Sequence, residues 1–114
     1  YLRNSVTGLL WTRSDNGSDI SWDDAKDRCA RSADWRLPTL GELASLYDPK
    51  LPQVKCGDYM CRVPHELRLT SAIFWSSRTD GPYEASVIWL TSDFRHANNR
   101  HASKSVRVLC VRPS

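Results

Sequence analysis

The sequence predicts an α+β domain in which two helices pack on an antiparallel sheet, with long irregular loops between the elements. Two helical patterns lie in the first half of the chain and three strand-like segments lie after residue 72, an order typical of this class. The chain has 114 residues, 40% of them hydrophobic, which fits a single domain spanning residues 1–114. Four cysteines are available to staple a core of this size.

The N-terminal part predicts one strand, one loop and one helix. Residues 6–11 are mostly apolar and predict the strand, whereas turn-forming residues occupy positions 14–19. Ser21 is the N-cap of a capping-box variant with Asp24, and the helix that it begins ends near Ser32. The apolar side chains of this helix recur at helical spacing, at Trp22, Ala25 and Cys29.

A second capping box predicts the second helix. Thr39 supplies the N-cap hydroxyl, and Glu42 is the acid three residues later. Pro38 keeps the preceding connection extended, and the helix stops before Pro49. Its apolar face consists of Leu40, Leu43 and Tyr47.

The C-terminal half predicts irregular structure followed by strands. Residues 49–69 contain three prolines and a glycine, and we expect no regular element there. Strands are predicted at residues 73–77, 85–90 and 105–111, the last from its alternating pattern. The polar and basic residues 91–104 read as a loop between the last two strands.

The four cysteines leave several states open. They allow three disulfide pairings, and a zinc site or free thiols are alternatives. Only two of them are close in sequence, whereas zinc sites usually offer two close pairs. We prefer two disulfides, which indicate an oxidising compartment: periplasm, cell surface or secreted. The preferred pairs are Cys29–Cys110 and Cys56–Cys61.

Positive charge is concentrated near the C-terminus. The net charge is +3, and the stretch after Asp93 contains five basic residues and no acidic one. A solvated loop would explain this composition, but two or three such side chains on one loop would also grip sulfate or carboxylate groups. No nucleic-acid motif and no apolar run long enough for a membrane span occurs. The candidate ligand-binding residues are Arg95, His96, Asn98, Asn99, Arg100, His101 and Lys104.

Three segments carry a resemblance to a known family. They read TGLLW from residue 7, SWDDAK from residue 21 through DWRLPTLGEL from residue 34, and FWSS from residue 74 together with VRVLCVR from residue 106. These segments resemble the Lcl C-terminal domain family, whose C-type-lectin-like fold pairs the termini and bonds the first helix to the last strand. The family is similar in fold to the formylglycine-generating enzyme and is named for a bacterial collagen-like adhesin linked to sulfated glycosaminoglycans.

The resemblance implies binding rather than catalysis. The oxidase relative needs a reactive cysteine pair near the end of the chain, where this sequence has Cys110 alone. The sugar-binding tripeptides of calcium-dependent lectins are absent, and without a collagen-like repeat the trimer inference does not carry over. In lectin-like folds the ligand loop lies between the late strands, which favours residues 93–104 by analogy.

Three other groups of residues allow a functional reading, and we interpret each as structural. In the string around Trp35 and Arg36, the tryptophan fills the core and the arginine pairs with a carboxylate or caps a carbonyl. Ser76 and Ser77 lack a histidine signature that would make either a nucleophile. The oxygen-bearing side chains of a turn could hold calcium, but a solvated turn explains them: Asp15, Asn16 and Asp19.

The sequence therefore predicts a bacterial extracytoplasmic binding or adhesion module without a cofactor and without enzymatic activity. Its partner would be an anionic, glycosaminoglycan-like glycan or another surface ligand, held by the basic loop. The alternative is a protein–protein module of a pilus, secretion or phage-receptor assembly, which would bind through aromatic and arginine hot spots.

Overall fold

The chain folds as an α+β domain, as predicted. The computed structural model describes residues 1–4, 7–101 and 104–113. Its elements are, in order, β1 (Leu2–Arg3), β2 (Leu9–Trp11), α1 (Trp22–Ala30), α2 (Leu40–Ala44), β3 (Val54–Cys56), β4 (Tyr59–Cys61), β5 (Ile73–Thr79), β6 (Glu84–Trp89), β7 (Phe94–Asn99), β8 (Val106–Arg107) and β9 (Val111–Pro113). The strands form three sheets, with orders β1-β2-β9, β3-β4 and β7-β6-β5-β8.

Both helices begin where the sequence predicts. The Ser21 hydroxyl accepts a hydrogen bond from the Asp24 amide, and α1 ends with Arg31 as its C-cap. At α2 the capping box is complete, because Thr39 accepts from the Glu42 amide while the Glu42 carboxylate accepts from the Thr39 amide. Local side-chain bonds thus satisfy amides that the first turn leaves without a helical partner.

The four-stranded sheet is the central layer, and hydrophobic residues cover both of its faces. Alternation along β5 places Phe74 on one face and its neighbours Ile73 and Trp75 on the other. Phe74 belongs to a core cluster that contains residues of α2 and the three-stranded sheet. Ile73 and Trp75 belong to a second cluster that contains Trp22 and Ala25 of α1. Each helix therefore packs on its own side of the sheet.

The predicted final strand is divided between two sheets. Residues 106–107 form β8, which pairs in parallel with β5, whereas β9 begins at Val111 and pairs antiparallel with β2. Between them, side chains of an earlier loop hold the backbone: Asn16 accepts from the Val108 amide and Thr12 accepts from the Cys110 amide. The alternating pattern continues through this crossing, so the sequence reads as one strand. Val6, which was included in the first predicted strand, lies outside the described residues.

Two stretches predicted to be irregular contain strands. Within residues 49–69, β3 and β4 form a hairpin whose turn uses Gly57 at φ +67°. A β-carbon on Gly57 would meet the Thr70 carbonyl oxygen, so only glycine fits. Within residues 91–104, β7 pairs with β6 along six residue pairs. Because an edge strand is held by backbone hydrogen bonds and exposes polar side chains, its sequence lacks an apolar strand pattern.

The preferred cysteine pairing is confirmed. Cys29 is bonded to Cys110 across 81 positions of sequence, and Cys56 is bonded to Cys61 across five. The long disulfide joins α1 to the segment that leads into β9, and the short one closes the β3–β4 hairpin. Neither helix in the described part of the chain has the length and apolar character that crossing a membrane requires.

Candidate functional site

The predicted basic loop is largely an ordered strand at the edge of the central sheet. In the register of β6 and β7, His96 lies opposite Val87 and Arg95 lies opposite Ile88. Since paired residues share a face, His96 points to the side of the sheet that α1 covers, and Arg95 points to the other side. The seven predicted ligand-binding residues therefore do not form one cluster, because alternation along β7 separates the four that lie in the strand and the other three follow it.

The strand end at Phe94 carries a row of rings that we call the aromatic row: Tyr59, Trp89, His96 and Phe94. Ring centroids are 5.5 Å apart for Tyr59 and Trp89, 6.5 Å for Trp89 and His96, and 5.4 Å for His96 and Phe94. The Trp89 indole N–H donates to His96 Nε2 at 3.0 Å, so that Nδ1 carries the ring proton and faces the Ala97 carbonyl oxygen. Trp89 is half-buried, and Phe94 is 58% exposed.

Two arginines of the basic segment, residues 93–104, already have acidic partners. The Arg95 guanidinium lies 3.3 Å from an oxygen of Asp93, and both side chains are exposed. The Arg100 guanidinium pairs with Asp23, lies 4.2 Å above the Trp22 ring and donates to the Pro82 carbonyl oxygen. Arg100 thus attaches the end of β7 to the start of α1, and its charge is already engaged.

Other side chains of the segment stay available to a ligand. Within residues 1–4, 7–101 and 104–113, the side chains of His101 and Lys104 make no hydrogen bond or ion pair, and both are exposed. Asn99 accepts a hydrogen bond from the His101 amide, which orders the turn after β7. Asn98 is half-buried beside Ala85. The exposed basic side chains at this edge include Arg95, His101 and Lys104.

Sequence reasoning missed a cleft of about 560 Å³, which we call the Trp35 cleft. One wall is a stripe of α1 formed by Trp22, Lys26 and Ala30, which are spaced four residues apart. Trp35 and Leu37, which follow the helix, form the second wall, and the end of β5 closes the third side. Trp35 was predicted to fill the core, but its ring is half-buried because one side faces this cleft.

The distinctive string between the helices supplies both structure and cleft wall. Arg36 forms a bidentate ion pair with Glu42, with nitrogen–oxygen distances of 2.7 and 2.8 Å. Hydrogen bonding to Arg36 is the main reason that the pKa of the Glu42 carboxyl lies below its ordinary value of 4.5, and burial opposes that shift. Glu42 in turn raises the pKa of Arg36. The predicted pairing of Arg36 with a carboxylate is confirmed, and the same residue lines the cleft.

A smaller cleft of about 370 Å³ lies on the other side of Trp35. The rings of Tyr1 and Trp35 are in tilted contact with centroids 5.3 Å apart, and Arg28 and Arg31 also line the cleft. Both arginines are near the C-terminal end of α1, where a positive charge offsets the partial negative charge of the helix end. That role explains their placement without a ligand.

The side chains of the oxygen-rich turn form hydrogen bonds within the protein. Asp15 accepts from the amide and hydroxyl of Thr70, and Asp19 accepts from the Ser105 amide and pairs with Arg107. Among the described residues there is no group of three or more metal-ligating side chains. Ser76 is buried, and its hydroxyl donates to the Ser86 carbonyl oxygen, as expected for a structural serine.

Fold and surface together define a small, disulfide-cross-linked α+β domain with a basic sheet edge and an aromatic cleft. The chain belongs to the Lcl C-terminal domain family, which it matches over residues 1–112 of its 114. No curated protein shows a significant sequence match to it.

Proposed function

We propose that this chain is an extracytoplasmic binding module that captures an anionic glycan at the edge strand β7. The two disulfides support an oxidising compartment, since such bonds are rare in reducing ones. The C-type-lectin-like arrangement implied by the family resemblance is part of the proposal. It is supported by the pairing of β2 with β9 and by the bond from α1 to the segment before β9.

One observation carries the proposal: the ordered strand edge exposes Phe94 on one face, Arg95 on the other face and Lys104 in the turn that follows. The exposed His101 lies in the same turn. Ring faces suit the apolar C–H faces of sugars, and cations form charge-assisted hydrogen bonds with sulfate and carboxylate groups. A strand fixed by backbone pairing loses little conformational freedom when it binds.

Arg100 has a supporting role in this proposal. Its guanidinium stacks on Trp22 and pairs with Asp23, so it holds the end of β7 against α1. The exposed pair between Arg95 and Asp93 contributes at most about 1 kcal/mol, so a sulfate can replace the carboxylate there at small cost. No catalytic step is part of the proposal.

The test is a glycan array read at low and physiological salt, with and without calcium. We expect binding to sulfated or uronate-bearing glycans that weakens steeply as salt rises, because exposed charges are screened. The triple variant Arg95→Gln, His101→Gln, Lys104→Gln should lose binding. A control variant removes three exposed cations elsewhere (Arg3→Gln, Lys50→Gln and Lys55→Gln) and should retain it. Equal loss in both variants, or none in either, would exclude β7 as the site.

A protein partner is the second candidate, favoured by two exposed rings. Tyr83, just before β6, is 71% exposed, and Phe94 is 58% exposed. Large aromatic side chains are typical hot spots of protein interfaces. A blank array, together with capture of an envelope protein that persists at high salt and is lost in the double variant Tyr83→Ser, Phe94→Ser, would establish this function instead.

A further inference from the structure

We propose that the Trp35 cleft is a separate binding site for a small ligand with a flat apolar ring face and a single carboxylate. The site uses none of the residues assigned to glycan capture at β7, so the two proposals stand or fall independently. It also gives a role to the distinctive string between the helices, which supplies Trp35, Arg36, Leu37 and Thr39 to the cleft.

The size and walls of the cleft suit a small molecule. Its volume of about 560 Å³ lies within the range of about 300–1,000 Å³ that is usual for small-molecule sites. In its lining, Trp35 has a half-buried ring, Leu37 is buried, and Ala30 is an exposed small residue. A ring-shaped ligand would cover these apolar atoms and remove them from water.

The charge of the cleft indicates one carboxylate. Arg36 is neutralised by its bidentate pair with Glu42. Lys26 lines the same cleft with its ammonium 5.4 Å from the Trp22 ring centroid, and no carboxylate within the described ranges pairs with it. One cation without a counter-ion at the mouth of a largely apolar cleft matches a ligand with one negative charge.

Two hydroxyls complete the polar lining. Ser77 and Thr79 lie at the end of β5, and in the part of the chain that the structure describes their side chains form no hydrogen bond. Both residues are exposed and line the cleft, so their hydroxyls can donate hydrogen bonds to a carboxylate or to a ring hydroxyl of a ligand. A uronic acid and an aromatic carboxylate share the required ring face and charge, so the probes must separate these two sources.

The test is a titration of the ¹⁵N-labelled protein followed by NMR. The probes are sodium glucuronate and sodium benzoate, each taken to about 10 mM, where a site with a Kd of about 1 mM would be nine-tenths occupied. We expect the indole N–H signal of Trp35, assigned by its loss in Trp35→Phe, to shift with one of the two probes. A shift with glucuronate would identify the ligand class as sugar acids, and a shift with benzoate would identify it as aromatic acids. Methyl glucoside and benzyl alcohol, their neutral counterparts, should leave the signal unshifted.

Variants separate the cleft from other surfaces. Lys26→Gln should weaken carboxylate binding by about fivefold or more, whereas Lys50→Gln, an exposed lysine outside the cleft, should have no effect. Ala30→Gln, which fills the cleft from an exposed helix position, should abolish binding. The triple variant in β7 and its turn should bind these probes normally.

Three results would overturn the proposal. The first is no shift of the Trp35 signal with either carboxylate, and the second is an equal shift with the neutral counterparts. The third is undiminished binding in Ala30→Gln.

Discussion

The motif segment, residues 34–42, and the basic segment, residues 93–104, both carry charged and aromatic side chains, but their arginines find partners at different distances along the chain. Arg36 pairs with Glu42, six positions away. Arg100 pairs with Asp23, which is 77 positions away. The first pair belongs to a helix start and can be anticipated from local spacing, whereas the second exists only because the sheet edge folds against α1.

The number of charged residues in a segment does not show how many of them lack an ion-pair partner in the folded protein. The basic segment has no acidic residue after Asp93, yet Arg95 and Arg100 are both paired in the structure. The motif segment has two acidic residues and one basic residue, yet it borders a cleft whose rim holds Lys26 without a carboxylate partner in the described residues. Accessible charge thus depends on which faces the fold brings together.

Removing the long disulfide should lower the free energy of unfolding more than any other change considered, because this bond holds α1, and α1 supports both the motif segment and the basic segment. In the chain-entropy model, the bond between Cys29 and Cys110 stabilises the fold by about 4–5 kcal/mol and the short bond of the hairpin by about 2 kcal/mol. The double variant Cys29→Ala, Cys110→Ala should therefore lose about twice as much free energy of unfolding as Cys56→Ala, Cys61→Ala. Urea denaturation measures both, and equal losses would contradict the role of the long bond.

Substituting Glu42 should give the next largest effect, because one carboxylate serves two contacts. Glu42→Ala removes the ion pair with Arg36 and half of the capping box, at a cost of about 1–2 kcal/mol. Glu42→Gln keeps an oxygen that accepts from the Thr39 amide, so we expect a loss below about 1 kcal/mol. Thermal and urea unfolding of both variants separate the cap from the charge. If the two variants were equally unstable, the cap would contribute nothing.

The two arginines of the basic segment should differ in their effect on stability. Arg100→Gln should cost about 1 kcal/mol, because it removes the stacking on Trp22 and the pair with Asp23. Arg95→Gln is the matched control and should cost close to nothing, since its pair with Asp93 is exposed. Urea midpoints measure the difference. If Arg95→Gln were destabilised and Arg100→Gln were not, our assignment of Arg100 as the residue that holds β7 against α1, and of Arg95 as a ligand contact, would be reversed.

The smallest expected effect is a pH dependence that belongs to Glu42. The folded protein lowers the pKa of this carboxyl below 4.5, chiefly through the hydrogen bond from Arg36. The unfolded chain therefore binds the proton more readily, and the stability contributed by Glu42 is present above pH 4.5 and is lost as pH falls through the lower folded value. The free energies of unfolding of the wild type and of Glu42→Gln should therefore become more similar as the pH is lowered from 7 to 3. A constant gap across that range would contradict the linkage.

Much of the fold was predictable because it rests on local chemistry. Ser21 and Thr39 begin helices through hydrogen bonds to amides three residues away, and both starts are correct. The strands β5 and β6 are rich in buried apolar residues and were also predicted. The strand β7 was missed, because its six residues are held by pairing with β6 and carry no apolar run of their own.

The candidate sites were less predictable, because each combines distant parts of the chain. The seven predicted ligand-binding residues are a cluster in sequence, but the four that lie in β7 are divided between its two faces. The Trp35 cleft combines α1, the string after it and the end of β5, and its only local signal was the spacing of Trp22, Lys26 and Ala30. That spacing indicates a shared helix face but not whether a neighbour covers it.

The sequence by itself determined the α+β class, the two helix starts, the arrangement of apolar residues and the concentration of cations near the C-terminus. The tertiary structure decided which of those cations are neutralised, where one alternating pattern is divided between β8 and β9, and which residues line the clefts beside Trp35. The physical reason is range: capping bonds and alternation act over a few residues, whereas ion pairs, ring contacts and clefts depend on the distances that the folded chain creates.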